Sequence, residues 1–169
     1  ADLRRAIDSY GLISSEFWRD GGLTFLTSFV LHGGIIHLLS NVYFLVVFGD
    51  NVEDWLGKGR FILLLAGAAL FGDVAHILSD PASSTPCVGA SGGISGIVAF
   101  YAMKFPHARL GFVVRSHYVL SRWISGPAYL FFIFWLVLQT VGTWLQLAGF
   151  ANVSSVAHLG GASVGILFW

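Results

Sequence analysis

Long apolar runs separated by short polar connections dominate the chain, and that pattern predicts helices that cross a bilayer. Five such segments lie near 32–49, 60–79, 91–104, 125–148 and 154–169. A spanning helix needs about 20 apolar residues, so the second and fourth are long enough and the first nearly so. The third, at about 1.5 Å per residue, reaches only about 21 Å against roughly 30 Å of hydrocarbon. It is expected to start below one membrane surface, with the loop 80–90 dipping in to meet it. Irregular backbone at that depth must be buried in protein or line a wet cavity. Residues 1–22 read as a loop-like stretch on the outer side, and 23–169 as the helical core of one domain. The fold class is therefore an all-α polytopic membrane bundle with about five helices in this chain.

Composition sharpens that picture. The 169 residues are 56% hydrophobic and 11% charged, with 21 glycines, and the mean hydropathy is +0.76. Soluble domains carry about 25% charged residues, whereas glycine is frequent in membrane helices because it lets backbones approach. The net charge is zero, so nothing points to nucleic acid, and the lipid bilayer is the expected surroundings. A lone cysteine, Cys87, excludes an intrachain disulfide. No cleavable signal peptide is visible at the start of the chain. The connection 104–124 carries Lys104, Arg109, Arg115 and Arg122 with no acid, which places it on the cytoplasmic side. Connections 80–90 and 149–153 have no Lys or Arg and fall outside. The segments starting at His32, Ser91 and His158 then all begin at the outer face, which brings three polar clusters to one level.

Those clusters hold the parts of a serine hydrolase. Ser91 opens its helix, where free N–H groups and the positive end of the helix dipole favour a developing anion, and Gly89 permits a tight turn just before it. A serine needs a base to take its proton, and His158 is the candidate. No acid sits beside His158, so a dyad is expected rather than a triad. His37 and Asn41, four apart, share a helix face and can donate to an oxyanion together with the Ser91 N–H. His32, five from His37, points elsewhere and is given a supporting role. Gly92 and Gly96 form one small-residue face, and Gly161 and Gly165 another. Packing of these two faces would bring Ser91 to His158.

Each element has a plainer reading. Gly-x-Ser-Gly also marks ordinary helix contacts, and it recurs at Gly93-Ile94-Ser95-Gly96. Ser91 is preferred because it lies at the loop–helix boundary, a turn above Ser95. Asn41 could simply bridge helices. Asp73 and His76 read as a structural buried pair before a proton relay. Gly89-x-Ser91-x-Gly93 also matches the nucleophile elbow of soluble hydrolases. That fold needs an acid between serine and histidine, and no carboxylate follows Asp80. A site for metal built on His32, His37 and His158, or a small transporter, leaves the convergence of Ser91 and Asn41 unexplained.

With these residues in place, the chain resembles the rhomboid family of intramembrane serine proteases from about Leu23 to Gly165. His32-Gly-Gly-Ile-Ile-His37-Leu-Leu-Ser-Asn41 is similar to the family's second transmembrane segment. Phe48-Gly-Asp-Asn-Val-Glu53-Asp and Gly57-x-x-Arg60-Phe61 follow in order. Gly89-Ala-Ser91-Gly92 resembles its nucleophile motif, Phe105-Pro-His-Ala-Arg109 the segment after that helix, and Ala157-His158-x-x-Gly161-x-x-x-Gly165 its histidine motif. The resemblance implies a six-helix core and an endopeptidase acting on single-pass transmembrane proteins. It makes Ser91 the nucleophile, His158 the base, His37 and Asn41 the oxyanion donors and His32 a support, with no metal or cofactor. It also implies the bacterial cytoplasmic membrane, with the site facing outward. A non-catalytic relative that binds transmembrane clients is the alternative. The family's first helix is not seen before His32 and the last segment is short, so truncation at both ends is expected. The family's Trp-Arg pair would align at Leu23-Thr24, five residues after Trp18-Arg19. Ser95 stands where some members place an aromatic beneath the histidine.

Overall fold

The computed structural model describes residues 2–116, 119–150 and 153–169. The side chains of 112–123, Arg115 and Arg122 among them, lie outside the described set, as do residues 151–152 of the outer connection. Helix α1 spans Asp2–Tyr10 and α2 Thr24–Val30, with two short 3-10 turns, Ser14–Glu16 and Arg19–Gly22, between them. Then come α3 (Ile35–Leu56), α4 (Lys58–Ser79), α5 (Ser91–Lys104), α6 (Ala128–Leu147) and α7 (Ser155–Phe168). Strands β1 (Arg109–Ser116) and β2 (Val119–Pro127) form an antiparallel hairpin between α5 and α6.

Three of these helices, α3, α4 and α6, are long and apolar enough to cross a membrane, and α7 is a shorter apolar helix. Their outer faces are what a bilayer demands. Large apolar side chains point away from the protein, with Ile36 77% and Leu167 85% exposed, a surface that water would penalise. The chain is a multi-pass, all-α membrane bundle.

At its centre stands α5, buried continuously from Gly92 to Ala102. A 14-residue helix cannot span the hydrocarbon, and it does not need to, because α3, α4, α6 and α7 surround it. Small residues make this possible. A Cβ added at Gly161 would strike the Gly92 carbonyl, and one at Gly165 the Gly96 carbonyl. Gly72 of α4 meets the Ala157 carbonyl at 2.7 Å from where its Cβ would be. Helices α4, α5 and α7 therefore touch backbone to backbone, and dispersion between close-packed main chains replaces the hydrophobic effect that lipid removes. By contrast α6 buries only Ala128 and Phe132 of its 20 residues.

Two expectations need correction. Residues 2–22 are not loop-like: they hold α1 and both 3-10 turns, and the stretch is anchored. Arg19 donates to the carbonyls of Asp8, Ser9 and Gly11 at 3.2, 3.0 and 2.9 Å, and Leu12, fully buried, exchanges backbone hydrogen bonds with Cys87. Helix α3 starts at Ile35, so His32 lies in the loop before it rather than on it. Its far end runs past the apolar pattern to Leu56, and Gly57, at φ 75°, ends it. The connection read only for its charge folds as the β1–β2 hairpin.

Candidate functional site

Ser91 is the first residue of α5, and the loop that delivers it is held from two sides. The Gly89 N–H donates to the Ser28 carbonyl at 2.9 Å, which hangs the loop from α2. Gly89 itself has φ 121°, a conformation that costs side-chain-bearing residues dearly. It also has no room for one: a Cβ there would sit 2.7 and 2.8 Å from the His37 ring and 3.5 Å from Asn41 Nδ2. The backbone just before Ser91 thus passes against the two side chains read as donors.

On the other side, the start of α7 is anchored by Ser154. Its hydroxyl accepts from the Ala157 N–H at 3.3 Å, an N-cap contact. It also bonds His76 Nδ1 of α4 at 2.8 Å. His76 therefore pairs with Ser154 and not with Asp73. From this anchored turn His158 reaches across to α5, and its Nε2 lies 2.8 Å from Ser91 Oγ. Its other nitrogen, Nδ1, lies 2.8 Å from Gln139 Oε1 of α6.

Hydrogen-bond logic assigns the protons. A carbonyl oxygen can only accept, so Nδ1 of His158 carries the proton and donates to Gln139. Nε2 then has its lone pair free to accept the Ser91 O–H, the arrangement a general base requires. His37 has the opposite tautomer: its Nδ1 accepts from the Gly33 N–H at 3.2 Å, leaving Nε2–H directed at Gly89. Asn41 is 8% exposed, and its Nδ2 is buried with no hydrogen-bond partner. An orphaned buried donor is costly, and here it borders the loop leading to Ser91, where an anion would satisfy it.

His32 donates from Nδ1 to the Val30 carbonyl at 3.1 Å and sets its ring edge-on to His37, 5.1 Å between centroids. It touches the candidate donor. Ser95 is 4% exposed and donates to the Ser91 carbonyl within its own helix at 2.7 Å, so its hydroxyl is already committed. Among the described residues no three His, Cys, Asp or Glu side chains gather as a metal would need, and both nitrogens of His158 are in use.

Sequence reasoning missed Gln139 and Ser154. The signal for Gln139 was a polar amide in the middle of a largely apolar spanning helix, a position that usually faces protein. Cys87 is a neighbour of the site without a part in it. Burial, reinforced by the Asp73 carboxyl, pushes its thiol up to about 12 despite a hydrogen bond from Ser154. Almost no thiolate exists at neutral pH. Maleimide at pH 7.5 should label Cys87 of the folded protein about a thousandfold more slowly than after denaturation. Equal rates would mean an open, ionised thiol.

Beneath the site, an apolar cavity of about 210 Å3 opens between α3 and α6, lined by Phe44, Phe48, Tyr101, Phe132, Trp135 and Leu138 among others.

A family model, the Rhomboid domain, matches residues 14–169. The relative named "Putative rhomboid protease YdcA", of Bacillus subtilis, is 35% identical over 91 residues, 54% of this chain and 43% of that protein. RHOMBOID-like protein 12, mitochondrial, of Arabidopsis thaliana is 30% identical over 176 residues, 94% of this chain and 49% of its own length. Rhomboid protease GluP of Bacillus subtilis is 39% identical over 85 residues, 50% of this chain and 15% of that protein. The chain spans less than half the length of each of these relatives.

Proposed function

The chain belongs to the rhomboid family, and we propose that it is a serine endopeptidase that cuts transmembrane segments near the outer face of the bilayer. The observation that carries the reading is the 2.8 Å contact of Ser91 Oγ with His158 Nε2, made where the helix N-terminus of α5 meets a buried, unpaired amide donor. A bacterial relative named a rhomboid protease, GluP, and one named a putative rhomboid protease, YdcA, support it.

In the proposed reaction Ser91 Oγ attacks the scissile carbonyl carbon as His158 Nε2 takes its proton. The carbonyl π electrons move to oxygen, and that oxyanion is met by Asn41 Nδ2–H, His37 Nε2–H and the Ser91 N–H. Collapse expels the amine, which receives the proton from His158. Water then attacks the acyl-enzyme, with His158 again as base. Only these side chains and water are used.

A single-pass substrate is proposed to enter from lipid beside α6. Of the three spanning helices this one has the least buried surface, and the apolar cleft between α3 and α6 extends below the site. A transmembrane helix has its carbonyls engaged, so the segment that is cut must unwind, which favours helix-breaking residues near the scissile bond. The proposed home is the bacterial cytoplasmic membrane, with the site toward the cation-poor connections on the outer side. The match to a protein named as mitochondrial makes an organellar membrane the competing location.

The test is chemical. A fluorophosphonate reporter added to the protein in liposomes should form a covalent adduct on Ser91, assigned by fragmentation of the modified peptide. A folded protein that binds a single-span peptide yet neither reacts nor cuts would replace the protease reading with client binding.

A further inference from the structure

Helix α6 meets α7 along a single polar face, and that face ends on the candidate base. Gln139, Gly142 and Gln146 lie three and four residues apart, so they form one stripe on α6. Gln146 Oε1 accepts from the Val156 N–H in the first turn of α7 at 3.3 Å. Gly142 admits Ser155, whose hydroxyl occupies the space a Cβ would need. Gln139, at the inner end of the stripe, holds His158 Nδ1 at 2.8 Å.

An imidazole with one free nitrogen can turn about its χ2 bond and can exchange tautomers. Either change takes the Nε2 lone pair away from Ser91. Serine hydrolases commonly prevent this with a buried carboxylate, which also stabilises the imidazolium. No carboxylate follows Asp80 in this chain. An amide oxygen at the same atom supplies the geometry without the charge. It selects the Nδ1–H tautomer and holds the ring plane, while burying no ion beside lipid.

The geometry points to Gln139 as the positioning residue of the dyad, an uncharged third member supplied by α6. This inference rests on the protease reading for its kinetic consequences, though not for the tautomer it assigns. Because Gln139 belongs to the least buried of the three spanning helices, His158 is oriented only while α6 is packed on α7.

The experiment compares the protein in detergent micelles with Gln139→Leu and Gln139→Glu. Long-range proton–nitrogen spectra of 15N-histidine report the His158 tautomer, with the signal assigned by its loss in His158→Asn. The parent should show an Nδ1–H imidazole. In Gln139→Leu that signal should give way to a mixture, with kcat for a single-span substrate falling about 10- to 100-fold, KM unchanged and thermal melting still cooperative. Gln139→Glu keeps an acceptor and should recover cleavage to within a few-fold of the parent. Its carboxylate favours the imidazolium, so the acid limb of its pH–rate profile should move to higher pH. A helix-bridging role alone would change melting in both variants and leave the limb in place. A Gln139→Leu protein that keeps the Nδ1–H signal and the parent kcat overturns the proposal. A parent that cuts nothing overturns the protease reading instead, and the spectra still decide the role of Gln139.

Discussion

Ser91→Ala is expected to lower cleavage of a single-span substrate by about a thousandfold or more, while Ser95→Ala stays within a few-fold of the parent. The two residues lie one turn apart on α5 and share a Gly-x-Ser-Gly pattern, so composition alone does not separate them. Their hydrogen bonds do. Ser91 Oγ faces His158 Nε2 at 2.8 Å, whereas Ser95 Oγ returns to the Ser91 carbonyl at 2.7 Å. Removing Ser91 removes the atom proposed to form the acyl bond, and on that reading what remains is the weak catalysis an oxyanion site gives to water. Removing Ser95 deletes an in-helix bond that competes with, rather than builds, the helix. Cleavage in liposomes, read on gels at matched protein levels, measures both. Equal rates in the two variants would detach the chemistry from Ser91.

The parts of this site that were legible in the sequence are those whose partners are announced by spacing. Glycines four apart on two segments, Gly92 with Gly96 and Gly161 with Gly165, predicted one close contact. The structure sets Gly161 on the Gly92 carbonyl and Gly165 on the Gly96 carbonyl. That contact brings Ser91 to His158, so the nearness of these two side chains was legible in the sequence. The shared helix face of His37 and Asn41 was legible for the same reason, through their spacing. Gln139 was not. Its partner lies 19 residues away on another helix, the stripe it forms with Gly142 and Gln146 does not say which helix it faces, and propensity is silent on interhelical bonds. His32 was misplaced because an apolar run does not mark where a helix starts: Gly33 and Gly34 separate it from α3. The hairpin escaped because the connection was read for charge. Short runs of β-branched and aromatic residues, such as Phe112-Val113-Val114 and Trp123-Ile124, lie between Arg109 and Pro127, a strand propensity separate from the charge that sets sidedness.

Gly161→Ala is expected to cost about 2–3 kcal/mol of stability or more and to cut catalysis about 100-fold in whatever still folds. A methyl on Gly161 would overlap the Gly92 carbonyl and come within 3.2 Å of the Ala68 carbonyl. Both obstacles are backbone inside helices, so no rotamer change relieves them, and α7 must move away from α5 and α4. Stability falls because many close main-chain contacts loosen together. Activity falls for a different reason: the same contact sets the distance between Ser91 and His158, and a shift of about 1 Å breaks a 2.8 Å hydrogen bond. Gly67→Ala is the matched control. Gly67 lies in α4 with nothing within 4 Å of its added Cβ, so helix propensity alone should leave it neutral or up to about 1 kcal/mol more stable. Unfolding in mixed micelles reads the stability of both variants, and fluorophosphonate labelling of the folded fraction reads the dyad. Loss of labelling in a Gly161→Ala protein that remains folded would show that the helix contact, beyond holding the bundle together, sets the reactive geometry. Parent-like stability and labelling would mean that the close approach of α5 and α7 is not what brings serine and histidine together.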